Sequence, residues 1–206
     1  MPLILASASP RRRQLLAALG IPFVIDAADI NESRLKAETP AAHVRRLAEE
    51  KARTVSARRP QDVILAADTI VVHQGRILGK PRDTAHARSM LQSLRDRAHQ
   101  VITAVAVARN GAITSKLDVS VVTMREYSDA EMDAYIATGD PFDKAGAYAI
   151  QNADFAPVAR LEGCYAGVMG LPLALTTHLL TAAGLAPAPD WPHNCNTITG
   201  RCCQHH

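Results

Sequence analysis

Residues 101–125 read VITAVAVARNGAITSKLDVSVVTMR and place two long apolar-rich segments on either side of Asn110-Gly111. Asn-Gly between two strand-forming segments is typical of the two-residue turn of a β-hairpin. The stretch therefore predicts two long antiparallel strands, at residues 101–108 and 112–125. A sheet that contains such a hairpin is not a doubly wound parallel sheet.

The rest of the chain predicts helices and strands that alternate around this hairpin. Helix starts are indicated by Ser9 and Thr39, each followed by proline, and by the capping box Ser128-Asp-Ala-Glu131. Strands are expected at 3–6 and 63–67, the second ending at Asp68, with a further hairpin over 69–78 that turns at Gln74-Gly75. Helices are expected at 10–19, 40–58, 85–94, 128–139 and 172–183. This order predicts an α/β fold with a mixed, largely antiparallel, twisted sheet flanked by helices.

Composition narrows the class of protein. The chain has 206 residues, 48% of them hydrophobic and 4% aromatic, with a formal net charge of +3. Such a mild charge allows an anionic ligand but does not indicate a general nucleic-acid surface. Four cysteines without a disulfide pattern favour a reducing cytosol, so we expect a cytoplasmic protein with no membrane segment. The N-terminal apolar run is short and precedes its positive charges, which is the reverse of a secretory signal.

Ala186-Pro-Ala-Pro189 marks the predicted end of the domain. We therefore expect one domain over residues 1–185 and a poorly ordered tail over 186–206. The tail is rich in cysteine and histidine, which are zinc ligands, but it lacks a pair with standard zinc-site spacing.

The segment Ser7-Ala-Ser-Pro-Arg-Arg-Arg13 places three arginines in the first turn of a helix. Positive charge there opposes the helix dipole, and a bound polyanion would resolve the conflict. Serine hydroxyls and guanidinium groups donate to phosphate oxygens. A solvated basic turn with an ordinary Ser-Pro cap explains the local pattern equally well.

The remaining candidate site residues are carboxylates and lysines. Asp68 follows an apolar strand, where it could hold Mg²⁺ or activate water, although a turn-capping aspartate is common. Lys51 shares a helix stripe with apolar residues, which on its own indicates a snorkelling side chain. Glu32 in a loop could be a second metal-binding carboxylate. Lys80, across the hairpin from Asp68, could bring an ammonium group to the same site.

The segment Asp143-Lys144-Ala-Gly146-Ala-Tyr-Ala-Ile-Gln151 combines small residues with polar ends. Gly146 permits a close backbone approach, and the Gln151 amide can both donate to and accept from a base edge. A tightly packed structural turn is the alternative.

Neither a P-loop nor a Gly-rich dinucleotide-binding fingerprint is present, so NAD and FAD are not expected.

Taken in order, these segments resemble the Maf family of nucleotide pyrophosphatases. The matching stretches are LASASPRR at 5–12, ADTIV at 67–71, ILGKP at 77–81, HQVIT at 99–103, DKAGAY at 143–148 with Gln151, and GLPL at 170–173. The resemblance implies two lobes around a cleft, as in inosine triphosphate pyrophosphatases. It also implies hydrolysis of a nucleoside triphosphate to the monophosphate and pyrophosphate with a divalent metal, Mg²⁺ or Mn²⁺.

By the same resemblance, Asp68 and Glu32 are the expected catalytic and metal-binding residues. The expected phosphate contacts are Ser7, Ser9, Arg11, Arg12, Lys51 and Lys80. Asp68-Thr69 and the Lys-Ala-Gly-Ala-Tyr segment resemble the branch that acts on dTTP and UTP. In that branch Arg12, Thr69 and Gln151 would set the base preference, with Lys144 as a further candidate contact.

Two other functions are alternatives to a pyrophosphatase. A nucleotide-sensing regulator of cell division and septum formation with little turnover belongs to a different class, although a pure anion binder would gain nothing from Asp68 beside phosphate. A phosphomonoesterase would differ in its products. The expected partner is the nucleoside triphosphate rather than a nucleic acid or a membrane, and the resemblance is compatible with a homodimer.

Overall fold

One sheet of seven strands runs through the computed structural model, which describes residues 2–202. The strands are β1 Leu3–Leu5, β2 Phe23–Ile25, β3 Val63–His73, β4 Arg76–Leu78, β5 Ala98–Arg109, β6 Ala112–Met124 and β7 Val158–Glu162. The helices are α1 Pro10–Ala17, α2 Pro40–Arg58, α3 Thr84–Leu94, α4 Asp129–Ala137, α5 Tyr165–Met169, α6 Leu173–Ala182 and α7 Trp191–Thr199. Two short 3-10 turns, Asp140–Asp143 and Ala145–Ala147, follow α4.

The sheet is mixed and mostly antiparallel, as the sequence predicts. Its strand order is β2-β1-β3-β5-β6-β7, and β4 pairs with β3. Within residues 2–202, the only parallel pairings are those of β1 with β2 and of β1 with β3. All other pairings are antiparallel.

The predicted long hairpin is present and is formed by β5 and β6. Its turn residues Asn110 and Gly111 have φ values of 50° and 80°. Positive φ at both turn positions matches the twist of the flanking strands, which is why Asn-Gly is favoured there. The hairpin at Gln74 and Gly75 turns in the same way, with φ values of 50° and 74°.

The structure corrects one strand boundary. The sequence predicts that a strand ends at Asp68 and that a separate hairpin begins at Thr69. Instead, β3 continues through both residues to His73, so Asp68 lies in mid-strand. A buried carboxylate is tolerated there because it has a cationic partner, Lys51, on α2.

Helix starts follow the predicted caps. Ser9 and Thr39 accept hydrogen bonds from backbone N–H groups of the first turns of α1 and α2. Both hydrogen bonds of the Ser128–Glu131 capping box are present at α4. The short elements β2, β7 and α5 were not predicted, because three to five residues are too few for a clear periodicity. Within residues 2–202, no helix combines the length and the apolarity needed to cross a membrane.

Within residues 2–202, three apolar clusters hold the layers together and define two lobes. In one lobe, α2 packs on one face of β1, β3 and β5, and α1, α5 and α6 pack on the other face. The second lobe is a cluster in which α3, α4 and the 145–155 region pack against the far ends of β3, β5 and β6. A cavity of about 690 Å³ is lined by residues from both lobes.

Helix α7 lies within the segment for which the sequence predicts a poorly ordered tail. Cys195 is 2% exposed, and the partly buried Trp191 and Ile198 pack against the same cluster as α1 and α6. The backbone N–H of Ala188 donates to the carbonyl of Leu19, which ties this segment to the end of α1. Of the predicted tail, residues 203–206 lie outside the described residues.

Candidate active site

The cavity opens where the sheet forks. On one edge of β3, β1 pairs with residues 63–65 and β4 pairs with residues 71–73, while β5 covers the other edge throughout. Within residues 2–202, residues 66–70 therefore have no strand partner on the forked edge. Asp68 and Thr69 occupy this gap, and strand alternation sends their side chains to opposite faces of the sheet. The fork explains how residues in mid-strand reach a ligand cavity.

On the α2 face, Lys51 joins two carboxylates. Its Nζ lies 2.6 Å from Asp68 Oδ1 and 2.6 Å from Glu32 Oε1. Lys51 and Asp68 have side chains about nine-tenths buried, whereas that of Glu32 is 60% exposed. Burial alone would raise the pKa of Glu32, but the Lys51 hydrogen bond and the charges of Lys51, Lys80 and Arg12 lower it. In this cluster the side chain of Lys51 bridges the carboxylates of Asp68 and Glu32.

The Ser7–Arg13 segment connects β1 to α1 at the other side of the gap. Ser9 Oγ accepts from the backbone N–H of Arg12 at 3.4 Å, so the predicted cap is present. Ser7 is buried, and its Oγ accepts from the Ser9 N–H at 3.2 Å. Residues 6–12 line the cavity, whereas Arg13 is exposed and does not. The predicted phosphate contacts of this segment thus face the cavity together.

Arg12 crosses the cavity floor to the second face of β3. Its guanidinium donates to Thr69 Oγ1 at 3.2 Å, to the Gly170 carbonyl at 2.9 Å and to Ser7 Oγ at 3.4 Å. Burial lowers the pKa of Arg12, and the negative charge of Asp68 opposes this effect. Arg12 therefore lies against a predicted base-selecting residue as well as a predicted phosphate contact.

Thr69 belongs to a short buried chain of hydrogen bonds. Its Oγ1 lies 2.9 Å from Oγ1 of Thr103, the residue directly opposite on β5. Thr103 is fully buried and donates to the Gly167 carbonyl of α5 at 2.8 Å. These hydrogen bonds link the cavity to α5. The carbonyl of Gly170, the residue after α5, accepts a hydrogen bond from Arg12.

The loop after β4 and the loop over residues 140–151 close the far side of the cavity. Lys80 lines it from an exposed position, and the Gly146 N–H donates to the Gly79 carbonyl at 3.1 Å. Gly146 has a φ of 72°, and a Cβ there would lie 3.1 Å from the Val71 side chain. The close backbone approach predicted for this glycine is therefore present. Gln151 is exposed and lines the same cavity.

Lys144 lines the cavity, but its ammonium group already has partners. It donates to the Asp140 carbonyl, to Asp140 Oδ1 and to Asp143 Oδ1 at 2.6 to 2.7 Å. These contacts use all three of its hydrogens. Asp143 also forms an ion pair with Arg11 at 3.1 Å, which links the α1 side of the cavity to this loop. In this structure Lys144 stabilises the loop.

Three residues that line the cavity or support its lining were not among the predicted site residues: His43, Thr103 and Gly170. His43 lines the cavity, two helical turns before Lys51 on α2, and its Nδ1 lies 2.9 Å from Glu38 Oε2. The spacing of eight residues was a usable signal, because it places both side chains on one helix face. Thr103 and Gly170 depend on cross-strand register and on a long-range contact, which no local pattern reports.

The chain is similar to known proteins over most of its length. The family model described as Maf-like protein matches residues 2–183. A protein of Thermomicrobium roseum named dTTP/UTP pyrophosphatase is 54% identical over 192 residues, which cover 92% of this chain and 88% of that protein. Proteins of the same name from Anaeromyxobacter dehalogenans and Halalkalibacterium halodurans are 50% and 44% identical, covering 91% and 90% of this chain and 96% and 97% of theirs.

The match spans every residue that lines the cavity, from Ala6 to Gly170, and includes the Ser7–Arg12, Asp68-Thr69 and Gln151 segments. The chain belongs to the Maf family.

Proposed function

We propose that this protein hydrolyses dTTP and UTP to the nucleoside monophosphate and pyrophosphate. The observation that carries the proposal is the Glu32–Lys51–Asp68 cluster facing the Ser7–Arg12 segment across one cavity. Carboxylates beside a cationic anion-binding segment suit cleavage of a polyphosphate better than simple anion binding. The relatives' names support the same substrate class for this chain.

The triphosphate would lie along the cationic side of the cavity. Its expected contacts are Ser7, Ser9, Arg11, Arg12, Lys51 and Lys80, all of which line the cavity. Phosphoryl transfer depends mainly on positioning and on neutralising charge, and these groups supply both. They would stabilise the negative charge that develops on the departing pyrophosphate.

Glu32 and Asp68 would hold the divalent metal. Both place a carboxylate oxygen 2.6 Å from the same atom, Lys51 Nζ, so those oxygens lie no more than twice that distance apart. Mg²⁺ is commonly held by one or two carboxylates together with substrate phosphates, which matches this donor set. The metal, Mg²⁺ or Mn²⁺, would neutralise charge on the phosphate oxygens.

Asp68 would orient the attacking water. Lys51 contacts Oδ1 of Asp68, which leaves Oδ2 to accept a hydrogen bond from water. The water oxygen attacks the α-phosphorus, and the bond from the α-phosphorus to the bridging oxygen of the pyrophosphate breaks. The proton of the water passes to the Asp68 carboxylate, and the pyrophosphate leaves with the bridging oxygen.

Arg12, Thr69 and Gln151 would select the pyrimidine base. They line the same cavity, and Arg12 and Thr69 are directly hydrogen bonded. A guanidinium donor, a hydroxyl and an amide together offer the donors and acceptors that a base edge requires. We further propose that the protein acts in the cytoplasm.

Product analysis tests the reaction. Incubation with metal and a panel of triphosphates should release pyrophosphate, and dTTP and UTP should be the best substrates. Orthophosphate as the sole product would instead indicate a phosphomonoesterase. Tight binding of dTTP without turnover would favour the nucleotide-sensing regulator of cell division.

Asp68→Asn tests the catalytic assignment. We expect kcat to fall at least ~10³-fold, as for the removal of other catalytic groups, with the circular dichroism spectrum unchanged. Asp62→Asn, one residue before the same strand and outside the cavity lining, is the matched control and should keep normal turnover. Near-normal rates in Asp68→Asn would refute the role of Asp68.

A further inference from the structure

We infer that Thr103, which does not line the cavity, determines base selectivity by fixing the hydroxyl hydrogen of Thr69. This inference rests on the proposed action on dTTP and UTP. Thr103 is fully buried on β5, directly opposite Thr69 on β3. It would act as a positioning residue that never touches the substrate.

The hydrogen-bond geometry permits one assignment of the hydroxyl hydrogens. Each threonine hydroxyl has a single hydrogen and can accept two. Thr103 lies 2.8 Å from the Gly167 carbonyl, which can only accept, so the Thr103 hydrogen points there. The contact of 2.9 Å between the two hydroxyls must then use the hydrogen of Thr69. Thr69 donates to Thr103 and has no hydrogen left.

Arg12 reinforces the same orientation from the other side. Its guanidinium lies 3.2 Å from Thr69 Oγ1 and can only donate. The Thr69 hydrogen therefore cannot point toward Arg12. With its hydrogen committed to Thr103 and one lone pair facing Arg12, Thr69 can offer a ligand in the cavity only an acceptor.

A fixed acceptor distinguishes pyrimidines by the hydrogen on N3. Thymine and uracil carry N3–H, which donates, whereas cytosine has an unprotonated N3, which accepts. A hydroxyl that can rotate would serve either base by turning its hydrogen. A hydroxyl held by Thr103 favours thymine and uracil and places two acceptors face to face when cytosine binds. A site that leaves polar groups unpaired with the wrong ligand discriminates strongly against it.

Substitution of Thr103 tests this inference without touching the cavity lining. Thr103→Val keeps the shape but removes the acceptor, so the Thr69 hydrogen is released. Thr103→Ser keeps the hydroxyl and is the matched control. We expect the ratio of kcat/KM for dTTP over dCTP to fall about tenfold in Thr103→Val, the effect of one hydrogen bond. The ratio should stay within about twofold of wild type in Thr103→Ser.

The pattern of the change separates this role from a structural one. A merely structural defect would lower kcat/KM for both nucleotides together, whereas the inference requires dCTP to gain relative to dTTP. An unchanged ratio in folded Thr103→Val would overturn it. Dissociation constants for both nucleotides provide the same ratio without turnover. An inactive wild-type enzyme would thus refute the proposed function, whereas an unchanged binding ratio would refute the role of Thr103.

A nucleotide analogue provides a second test that needs no variant. 3-Methylthymidine triphosphate lacks the N3 hydrogen, so the wild-type enzyme should bind it at least about tenfold more weakly than dTTP. Thr69→Ala should reduce this difference, because it removes the acceptor. Equal binding of the two nucleotides to wild type would overturn the inference even if Thr103→Val failed to fold.

Discussion

Lys51 shows how a residue that looks structural in the sequence can hold a site together. The helix stripe on α2 indicated a snorkelling lysine, and its stem does lie among buried apolar neighbours. Its ammonium group, however, meets Asp68 and Glu32, which come from a strand and a loop far apart in sequence. The pattern of a helix indicates which of its faces is buried, but it does not indicate which charged groups of other elements lie against that face.

Removal of the Lys51 charge should destabilise the protein in a way that a metal can repair. Lys51→Met leaves Asp68 buried without its partner, so we expect the free energy of unfolding to fall by about 3 kcal/mol. Added Mg²⁺ should recover much of this loss, because the proposed metal would supply positive charge in place of the ammonium group. Urea denaturation with and without Mg²⁺ measures the effect. Lys116→Met, at an exposed position, should show neither the loss nor the recovery; equal behaviour of both variants would contradict the expectation.

His99 should make stability depend on pH. Burial, together with the nearby His73, lowers the pKa of His99 from 6.5 to about 4. Between these values the unfolded chain binds a proton that the folded protein does not, so stability is complete above pH 6.5 and falls as the pH drops toward 4. The loss attributable to this residue is about 3 kcal/mol.

Denaturation at a series of pH values checks this expectation. His99→Gln cannot take up the proton, so its stability should vary less over this range than that of wild type. His193→Gln, at an exposed position, is the control and should retain the wild-type slope. An identical slope in all three proteins would show that His99 does not account for it.

Among the elements, β3 connects the fold to the site. Its pairing changes along its length, with β1 at one end and β4 at the other, so the gap between them is a property of three strands together. The apolar run before Asp68 predicted a strand but could not show that it continues past a charged residue. The predicted end of this strand was too early, because a charged residue after an apolar run looks like the end of the strand.

Helix α7 should contribute to the stability of the whole domain. A chain that ends at Leu185 exposes the surface that Trp191, Cys195 and Ile198 cover, so its free energy of unfolding should fall by about 2–4 kcal/mol. A chain that ends at Cys202 is the control and should match the full-length protein. Equal stability of all three would favour the predicted division into a domain over 1–185 and a separate tail.

At the scale of the molecule, the cavity joins the two lobes, and a nucleotide in it would contact both. A non-hydrolysable dTTP analogue with Mg²⁺ should therefore raise the free energy of unfolding, by about 2.7 kcal/mol at a hundredfold excess over its Kd. Thermal unfolding with dTTP and dGTP analogues measures base preference directly, since tighter binding gives the larger shift.

Two neighbouring arginines provide the matched comparison for this measurement. Arg12→Ala should reduce the difference between the dTTP and dGTP shifts, because Arg12 contacts Thr69 and Gly170. Arg13→Ala, exposed on the next position of α1, should leave the difference unchanged. A preserved difference in Arg12→Ala would argue against its role in base selection.

The sequence by itself determined the fold class, the hairpins and the family, because strand alternation, Asn-Gly turns and helix caps are local patterns. Ser7, Arg12, Asp68 and Gln151 were selected as candidates because they belong to recognisable segments, and all four line the cavity. Only the tertiary structure decided which groups meet: Lys51 with two carboxylates, Arg12 with Thr69, and Thr69 with Thr103. The physical reason is that a side chain's partner is set by strand register and by the fork in the sheet, which depend on contacts between residues distant in sequence.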